Sequence, residues 1–338
     1  MWNSVGCEIQ GRGHLKTGTP CQDKIHSLCD SDISIVALAD GAGSVSHSHY
    51  GAERITRFMC HYLYDEFDSF YSNPDGVLVK RIIIEAVLNE LDQLANEHEC
   101  EIKDLASTLL VVGVSSDRYI IIHIGDGVIG YYKNNKISVA SAPENGEFTN
   151  STVFTSSPDA LAKMKILKGE VNSIGGFVLM SDGPESSLYD KRKKSLANAL
   201  KRVVLQMQIG NITDVEKRLQ NSFETVIRNN TTDDCSIVFL VNRLSNISDY
   251  FNWNYEEKAT FWGMRNLRNG HVIQKRINKV DYILALLNKP HTVNELSRRL
   301  HIKPIYTRRC LKILCDSSLV VEDHGRYYSL LNRIGEME

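Results

Sequence analysis

Apolar positions switch between two periods along the first 242 residues. A short β-branched run, Ile33–Ala39, predicts a buried strand. Tyr50–Phe67 then takes helical spacing through Ile55, Phe58, Met59, Tyr62 and Leu63. A second helix is predicted over Val77–Glu99 from Ile83, Ile84, Val87, Leu88, Leu91 and Leu94. Four short strands follow: Thr108–Ser115, Tyr119–Ile124, Val128–Lys133 and Ile137–Ala140. The turns between them are too short for a parallel crossover, so these strands pair antiparallel. Ser141–Asn150 is polar and reads as a loop, and Phe177–Met180 as a strand. Lys191–Gln208 and Val215–Arg228 read as helices, and Ser236–Val241 as a last strand. Strands and helices in blocks predict an α+β fold: two antiparallel β-sheets packed as a sandwich, covered by helices.

Residues 244–278 set Trp253, Tyr255, Phe261 and Trp262 among polar neighbours, which predicts an aromatic linker that docks on another element. Helical spacing resumes over Val280–Leu287 and stops at Asn288-Lys289-Pro290. Thr292-x-x-Glu295 is a capping box opening a second helix to Leu300. Pro304 opens a third, with Tyr306, Cys310, Leu311 and Leu314 as its apolar positions. Leu319–Val321 and Arg326–Leu330 flank the turn Asp323-His324-Gly325. Three helices closed by a hairpin predict a winged helix-turn-helix over 279–332, after a first body at 1–243.

A chain of 338 residues fits two domains at about 150 residues each. Its first residues lack the basic start and apolar core of a secretion signal, and no apolar run is long enough for a membrane span. Eight cysteines without a C-x-x-C pair read as reduced thiols, so a cytoplasmic protein is expected. Net charge is −2 and unevenly placed: residues 271–333 carry 12 Lys/Arg against 5 Asp/Glu, residues 1–270 carry 27 against 34. Two bodies with different partners are implied.

The candidate chemistry lies where strands stop. Ile33–Ala39 ends in Asp40-Gly41, Ile121–Ile124 leads to Gly125-Asp126-Gly127, and Val178–Met180 leads to Ser181-Asp182-Gly183. Asp233-Asp234 precedes the last strand. One Asp-Gly is a turn signal. Three at the ends of buried strands would gather carboxylates whose repulsion calls for cations, and all-oxygen donors select magnesium, calcium or manganese. Glycine after each aspartate lets backbones approach closely. His47 and His49 fit a loop or helix cap, and His123 a satisfied core histidine.

Taken in order, Gln22-Asp23, Ala39-Asp40-Gly41-Ala42-Gly43-Ser44, Ser107-Thr108, Gly125-Asp126-Gly127, Ser181-Asp182-Gly183 and Thr231-Thr232-Asp233-Asp234-Cys235-Ser236 resemble the type 2C metal-dependent serine/threonine protein phosphatases. The likeness covers about residues 5–242 and is nearest the small bacterial branch. It implies a centre of two Mn2+ or Mg2+ ions, with room for a third. Asp40 would bridge the metals, the Gly41 carbonyl would bind one, and Asp182 and Asp233 would complete the other. Asp126 would serve the third, Gln22 stands at a metal-binding glutamate, and Asp23 would act behind the ligands. The reaction implied is attack of water on a phosphoserine or phosphothreonine of a protein, the target of a partner kinase. The family's phosphate-binding arginine is replaced by Gly18, leaving Arg12, His14 or Lys16 as candidates. Gln22 and the missing arginine keep a phosphatase-like sensor with weak catalysis open as an alternative. In the C-terminal body, Lys303, Arg308, Arg309 and Lys312 would meet nucleic acid, or the module would dock on protein.

Overall fold

The computed structural model describes residues 1–134, 136–143, 152–172, 174–209, 211–243, 247–262, 264, 270–316, 319–323 and 325–329. Most of the expected loop at 141–150, part of the aromatic linker, His324 and Leu330 lie outside the described residues. The chain divides into two compact units. One holds residues 2–200 and 216–242; the other holds 201–215 with the segment from Arg243 onward.

The first unit carries strands β1 (Trp2–Ile9), β2 (Asp23–Cys29), β3 (Ile33–Asp40), β4 (Leu109–Ser115), β5 (Arg118–Ile124), β6 (Val128–Lys133), β7 (Lys136–Ser141), β8 (Lys165–Glu170), β9 (Ile174–Met180), β10 (Tyr189–Asp190), β11 (Ser195–Leu196) and β12 (Cys235–Asn242). They form two five-stranded antiparallel sheets, ordered β1-β12-β9-β6-β7 and β2-β3-β4-β5-β8, and the small hairpin β10-β11. The helices here are α1 (Arg12–Thr17), α2 (Ser48–Ser72), α3 (Gly76–Glu97), α4 (Ala160–Lys163) and α5 (Glu185–Leu188). Asp75 caps α3, its carboxylate accepting from Val77 N–H and Leu78 N–H.

Alternation along the strands explains the sandwich. On β3, Ile33, Ile35, Ala37 and Ala39 pack with Ile55, Met59 and Leu63 of α2 and Ile83, Val87 and Leu91 of α3. Val36 and Leu38 point the other way and meet Phe177 and Leu179 of β9 and Val238 and Leu240 of β12. Fully burying such a side chain stabilises the fold by about 1.5–3 kcal/mol. A strand buried on both faces therefore has no solvent row, which is why it reads as a continuous apolar run.

The helix expected over Lys191–Gln208 begins only at Asn198. Asp190 turns the chain first, its carboxylate accepting from Arg192 N–H and Lys193 N–H at 3.0 Å each. Lys194 takes a left-handed φ of 49°, which breaks helical continuity. The hairpin β10-β11 stands in place of that first stretch, followed by α6 (Asn198–Ile209) and α7 (Ile212–Ser222). The helix expected over Val215–Arg228 is α7 continued by a π turn, Phe223–Ile227, and a short 3-10 turn, Arg228–Asn230.

From Arg243 on come α8 (Ile247–Asn252), α9 (Tyr255–Phe261), α10 (Gly270–Leu286), β13 (His291–Thr292), α11 (Val293–Leu300), α12 (Pro304–Asp316), β14 (Val320–Asp323) and β15 (Arg326–Ser329). The linker aromatics dock on α10. Tyr250 Oη donates to Asp281 Oδ1 at 2.9 Å, Lys258 Nζ reaches Asp281 Oδ2 at 2.7 Å, and Trp262 Nε1 donates to Tyr250 Oη at 2.8 Å. Helix α10 starts ten residues before the expected Val280 and runs across the expected boundary at 278. Thr292 and Glu295 form the expected capping box of α11.

Candidate functional site

The inward-facing row of each strand is apolar through its middle and turns polar at one end. On β3 the row Val36, Leu38 continues to Asp40, and on β2 the row through Ile25 ends at Asp23. Asp23 and Asp40 are direct cross-strand partners. On the facing sheet, the row Phe177, Leu179 continues to Ser181, and Val238 and Leu240 lead back to Ser236 and Asp234. Carboxylates from both sheets are thereby brought to the same rim.

Local bonds hold them there. Asp40 N–H donates to Thr108 Oγ1 at 2.9 Å, and Thr108 N–H donates to the Asp40 carbonyl at 2.8 Å. Gly41 N–H donates to the Gln22 carbonyl at 3.2 Å. Ser181 Oγ donates to Asp23 Oδ2 at 2.7 Å and accepts from Ser236 N–H at 3.1 Å, tying β2 to the facing sheet. Thr152 Oγ1 donates to Asp126 Oδ2 at 2.5 Å. Gly183 has no alternative at its position, since a Cβ there would stand 1.8 Å from the Asp234 carbonyl oxygen.

The aspartates feel one another. Burial, and then repulsion from Asp23, Asp182, Asp233 and Asp126, holds Asp40 well above the usual carboxylate range. Asp182 is pushed up to about 6 by burial and then by Asp126 and Asp233, partly offset by a hydrogen bond with Asp40. Burial pushes Asp23 up to about 7 against the lowering effect of Ser181. Asp23 Oδ1, Asp182 Oδ1 and Gln22 Oε1 are buried and have no partner among the described residues. Among the described residues, no three His, Cys, Asp or Glu side chains already close on a common point. Mutually repelling carboxylates and orphaned oxygens make an all-oxygen donor set suited to a hard divalent cation.

Gln22 is buried, and its amide nitrogen is committed to the loop after β3: Nε2 donates to Ser48 Oγ at 2.7 Å and to the Val45 carbonyl at 3.2 Å. Asp234, adjacent to the expected ligand Asp233, holds a different place. It is 2% exposed, accepts from Gly11 N–H and Gln22 N–H at 2.6 Å each, and lies 2.9 Å from His14 Nδ1. Its role was missed from sequence, although it stands one residue before β12 at the parity of the inward row Ser236, Val238 and Leu240. Asp233 is exposed.

A cleft of about 570 Å³ opens beside Asp182, lined by Arg12, Glu185, Tyr189, Lys191, Asn230 and Thr231 among others. Arg12 Nε donates to the Thr231 carbonyl at 2.9 Å. Lys16 is exposed on α1 and does not line the cleft. His47 and His49 flank Tyr50 at the start of α2, with ring centroids 6.1 and 4.0 Å from it. His123 is a core histidine, its Nδ1 2.6 Å from Ser141 Oγ. In the second unit, Lys303, Arg308, Arg309 and Lys312 are exposed at the start and along α12.

The sequence model of the protein phosphatase 2C family matches residues 10–224. The chain belongs to that family. Over 183 residues it is 27% identical to serine/threonine-protein phosphatase 3 of Escherichia coli K12, covering 52% of this chain and 72% of that protein. The serine/threonine phosphatase Stp1 of Staphylococcus aureus shares the fold, with a TM-score of 0.51 at 14% identity over 72% of this chain and 96% of that one. The two face-to-face antiparallel sheets with helices are thus the architecture of the protein phosphatase 2C family. The chain is a serine/threonine phosphatase of a metal-dependent family. No helix among the described residues is long and apolar enough to cross a membrane.

Proposed function

We propose that the rim carboxylates form the catalytic centre for removing phosphate from phosphoserine or phosphothreonine in proteins. The observation that carries this reading is the inward pairing of Asp23 with Asp40, within electrostatic reach of Asp126, Asp182 and Asp233. Asp40, the Gly41 carbonyl, Asp182 and Asp233 would hold two Mn2+ or Mg2+ ions, and Asp126 with Asp182 a third. Gln22 Oε1 is available to the same ions. When bound, the ions supply an activated water and neutralise the phosphoryl oxygens. Asp23, fixed by Ser181, orients water from behind the ligands, and His14 is held beside Gly11 and Gln22 through Asp234. Arg12, anchored by Nε, offers its remaining guanidinium nitrogens to phosphate from the cleft. Lys16, outside the cleft, is the weaker phosphate candidate.

The test is a manganese titration with a phosphothreonine peptide. Turnover should rise with metal and drop roughly 100-fold or more in Asp40→Asn and Asp182→Asn, the scale for removing a group that stabilises transition-state charge. A clean wild-type protein inactive across millimolar manganese would instead favour the phosphatase-like sensor.

We read the second unit as a winged-helix module for targeting or regulation, from the order α10, β13, α11, α12, β14, β15. Helix α12 exposes Ile305, Tyr306 and Ile313 together with Arg308, Arg309 and Lys312. Apolar side chains among the cations favour a protein partner over a phosphate backbone alone. The absence of a membrane-crossing helix among the described residues accords with a cytoplasmic phosphatase.

A further inference from the structure

The hairpin β10-β11 beside the cleft carries four consecutive cations, Lys191, Arg192, Lys193 and Lys194, all exposed. Its placement is fixed from below. Leu188, Tyr189 and Leu196 are buried, Ala197 N–H donates to the Leu188 carbonyl at 2.8 Å, and Asp190 locks the turn through two backbone amides. The tip is therefore a built feature rather than a loose charged loop. It also stands out against residues 1–270, in which acidic side chains outnumber Lys and Arg by 34 to 27.

The tip meets the active centre through one residue. Lys191 lines the same cleft as Asp182 and Arg12, and its pKa is raised first by its hydrogen bond to Glu185 and to a lesser extent by Asp182 and Asp126. Its Nζ lies 2.7 Å from Glu185 Oε2, while Glu185 is 6% exposed and its Oε1 has no partner among the described residues. Lys193 lies 3.3 Å from Asp190. Arg192 and Lys194 have no ion-pair partner among the described residues. Two cations of the tip are thus held by neighbouring carboxylates, and two are exposed without an ion-pair partner among the described residues.

We propose that this hairpin is a substrate-selecting element that draws in phosphosites flanked by anionic side chains, with Arg192 and Lys194 meeting the flank and Lys191 the cleft mouth. The proposal rests on the phosphatase reading of the Asp40 centre and adds the class of substrate to it. Anionic flanks come in two forms, carboxylates of Asp or Glu and a second phosphate, and the hairpin's chemistry accepts both.

The experiment uses the full chain with manganese and matched phosphothreonine peptides whose neighbours are aspartate, alanine or lysine. At low ionic strength kcat/KM should be about tenfold higher with aspartate than with alanine, as expected for two or three exposed charge pairs, and lowest with lysine. Added salt should compress the series. In Arg192→Glu combined with Lys194→Glu the order should invert. Both residues are exposed turn positions, so the folded protein should persist, and thermal melting checks that. A wild-type enzyme that treats the three peptides alike, or a double variant that keeps the aspartate preference, overturns the proposal. A peptide with phosphothreonine in place of the flanking aspartate separates the two anion sources. A similar gain with either flank supports acidic segments in general, and a gain clearly larger with phosphate than with aspartate supports clustered phosphosites. Failure to hydrolyse a small aryl phosphate would sink the phosphatase reading itself, which equal rates on the three peptides would leave standing.

Discussion

With Asp234 buried in backbone hydrogen bonds and Asp233 the proposed metal ligand, replacing each by alanine should separate stability from catalysis. Asp234 is buried and its carboxylate accepts two backbone N–H groups, Gly11 and Gln22, at 2.6 Å. Bonds to a charged acceptor contribute about 1.5–3 kcal/mol each, and an N–H left buried without a partner costs about 1–3 kcal/mol. Asp234→Ala removes both bonds at once and orphans both donors. A loss of about 3–5 kcal/mol follows, which for a unit of this size lowers Tm by roughly 10 °C. Asp233 is exposed and its carboxylate accepts from the Asp234 N–H at 2.9 Å, so Asp233→Ala should cost only about 1 kcal/mol. Its loss should appear in metal-dependent turnover instead. Thermal unfolding must be followed in excess chelator, because a metal bound only by the native state would add its own stabilisation. Hydrogen exchange at Gly11 and Gln22 gives a local readout, with both amides losing protection in Asp234→Ala. Asp234→Asn should rescue little, since its NH2 group would face one of the two N–H donors. If Asp234→Ala melts within about 2 °C of wild type, or Asp233→Ala is the less stable of the two, the division of roles is wrong.

Two further outcomes are expected. His123 is buried and its pKa is lowered to about 3 from 6.5, first by burial and then by Lys165. The unfolded chain therefore takes up this proton below pH 6.5 while the folded chain refuses it, so stability present above pH 6.5 is lost as pH falls toward 3. The loss is about 2 kcal/mol at pH 5, and His123→Gln should flatten that limb of the Tm-against-pH curve; parallel curves would refute it. For the second unit, a protein partner on α12 predicts weak, non-specific duplex binding by the full chain. Tight DNA binding with a steep salt dependence, lost in Arg308→Ala with Arg309→Ala, would reverse that reading.

The central strands were legible, and of the four edge strands only β7 was. Strands β3, β4, β5, β6, β9 and β12 each lie between two neighbours or are buried almost throughout, so their apolar runs are long and unbroken. Strands β1, β2 and β8 are edges, half-buried and laced with polar residues such as Asn3, Glu8, Lys24, His26 and Lys168. Their periodicity is diluted by the solvent side, and none was assigned from sequence. The run at 191–208 failed for a different reason. Lysine and arginine are good helix formers, but the Asp190 carboxylate captures the Arg192 and Lys193 amides and tips the balance to a turn. At the site, Asp-Gly endings marked the candidate residues, while the contrast between exposed Asp233 and buried Asp234 just before β12 depended on which of them shares the parity of the strand's inward row. That row follows from the alternation of β12, a rule available in the sequence once the strand's register is known.

The same alternation explains why the fold tolerates so many carboxylates at one rim. Burial pushes Asp23 up to about 7, a cost to its charged form at neutral pH that the fold has to bear. Behind Asp23, twelve buried side chains among the described residues fill the space between the sheets, each contributing about 1.5–3 kcal/mol at the upper bound set by an extended unfolded chain. The core outweighs the rim, so the strand ends cannot move apart to relieve their repulsion. Gln22 fits this picture as a substitution suited to its surroundings. Its Nε2 donates to the Val45 carbonyl and Ser48 Oγ, and a glutamate there would place an oxygen against the Val45 carbonyl and add another negative charge to the rim. The neutral side chain thus holds the loop after β3 in place, while its buried Oε1 has no hydrogen-bond partner among the described residues.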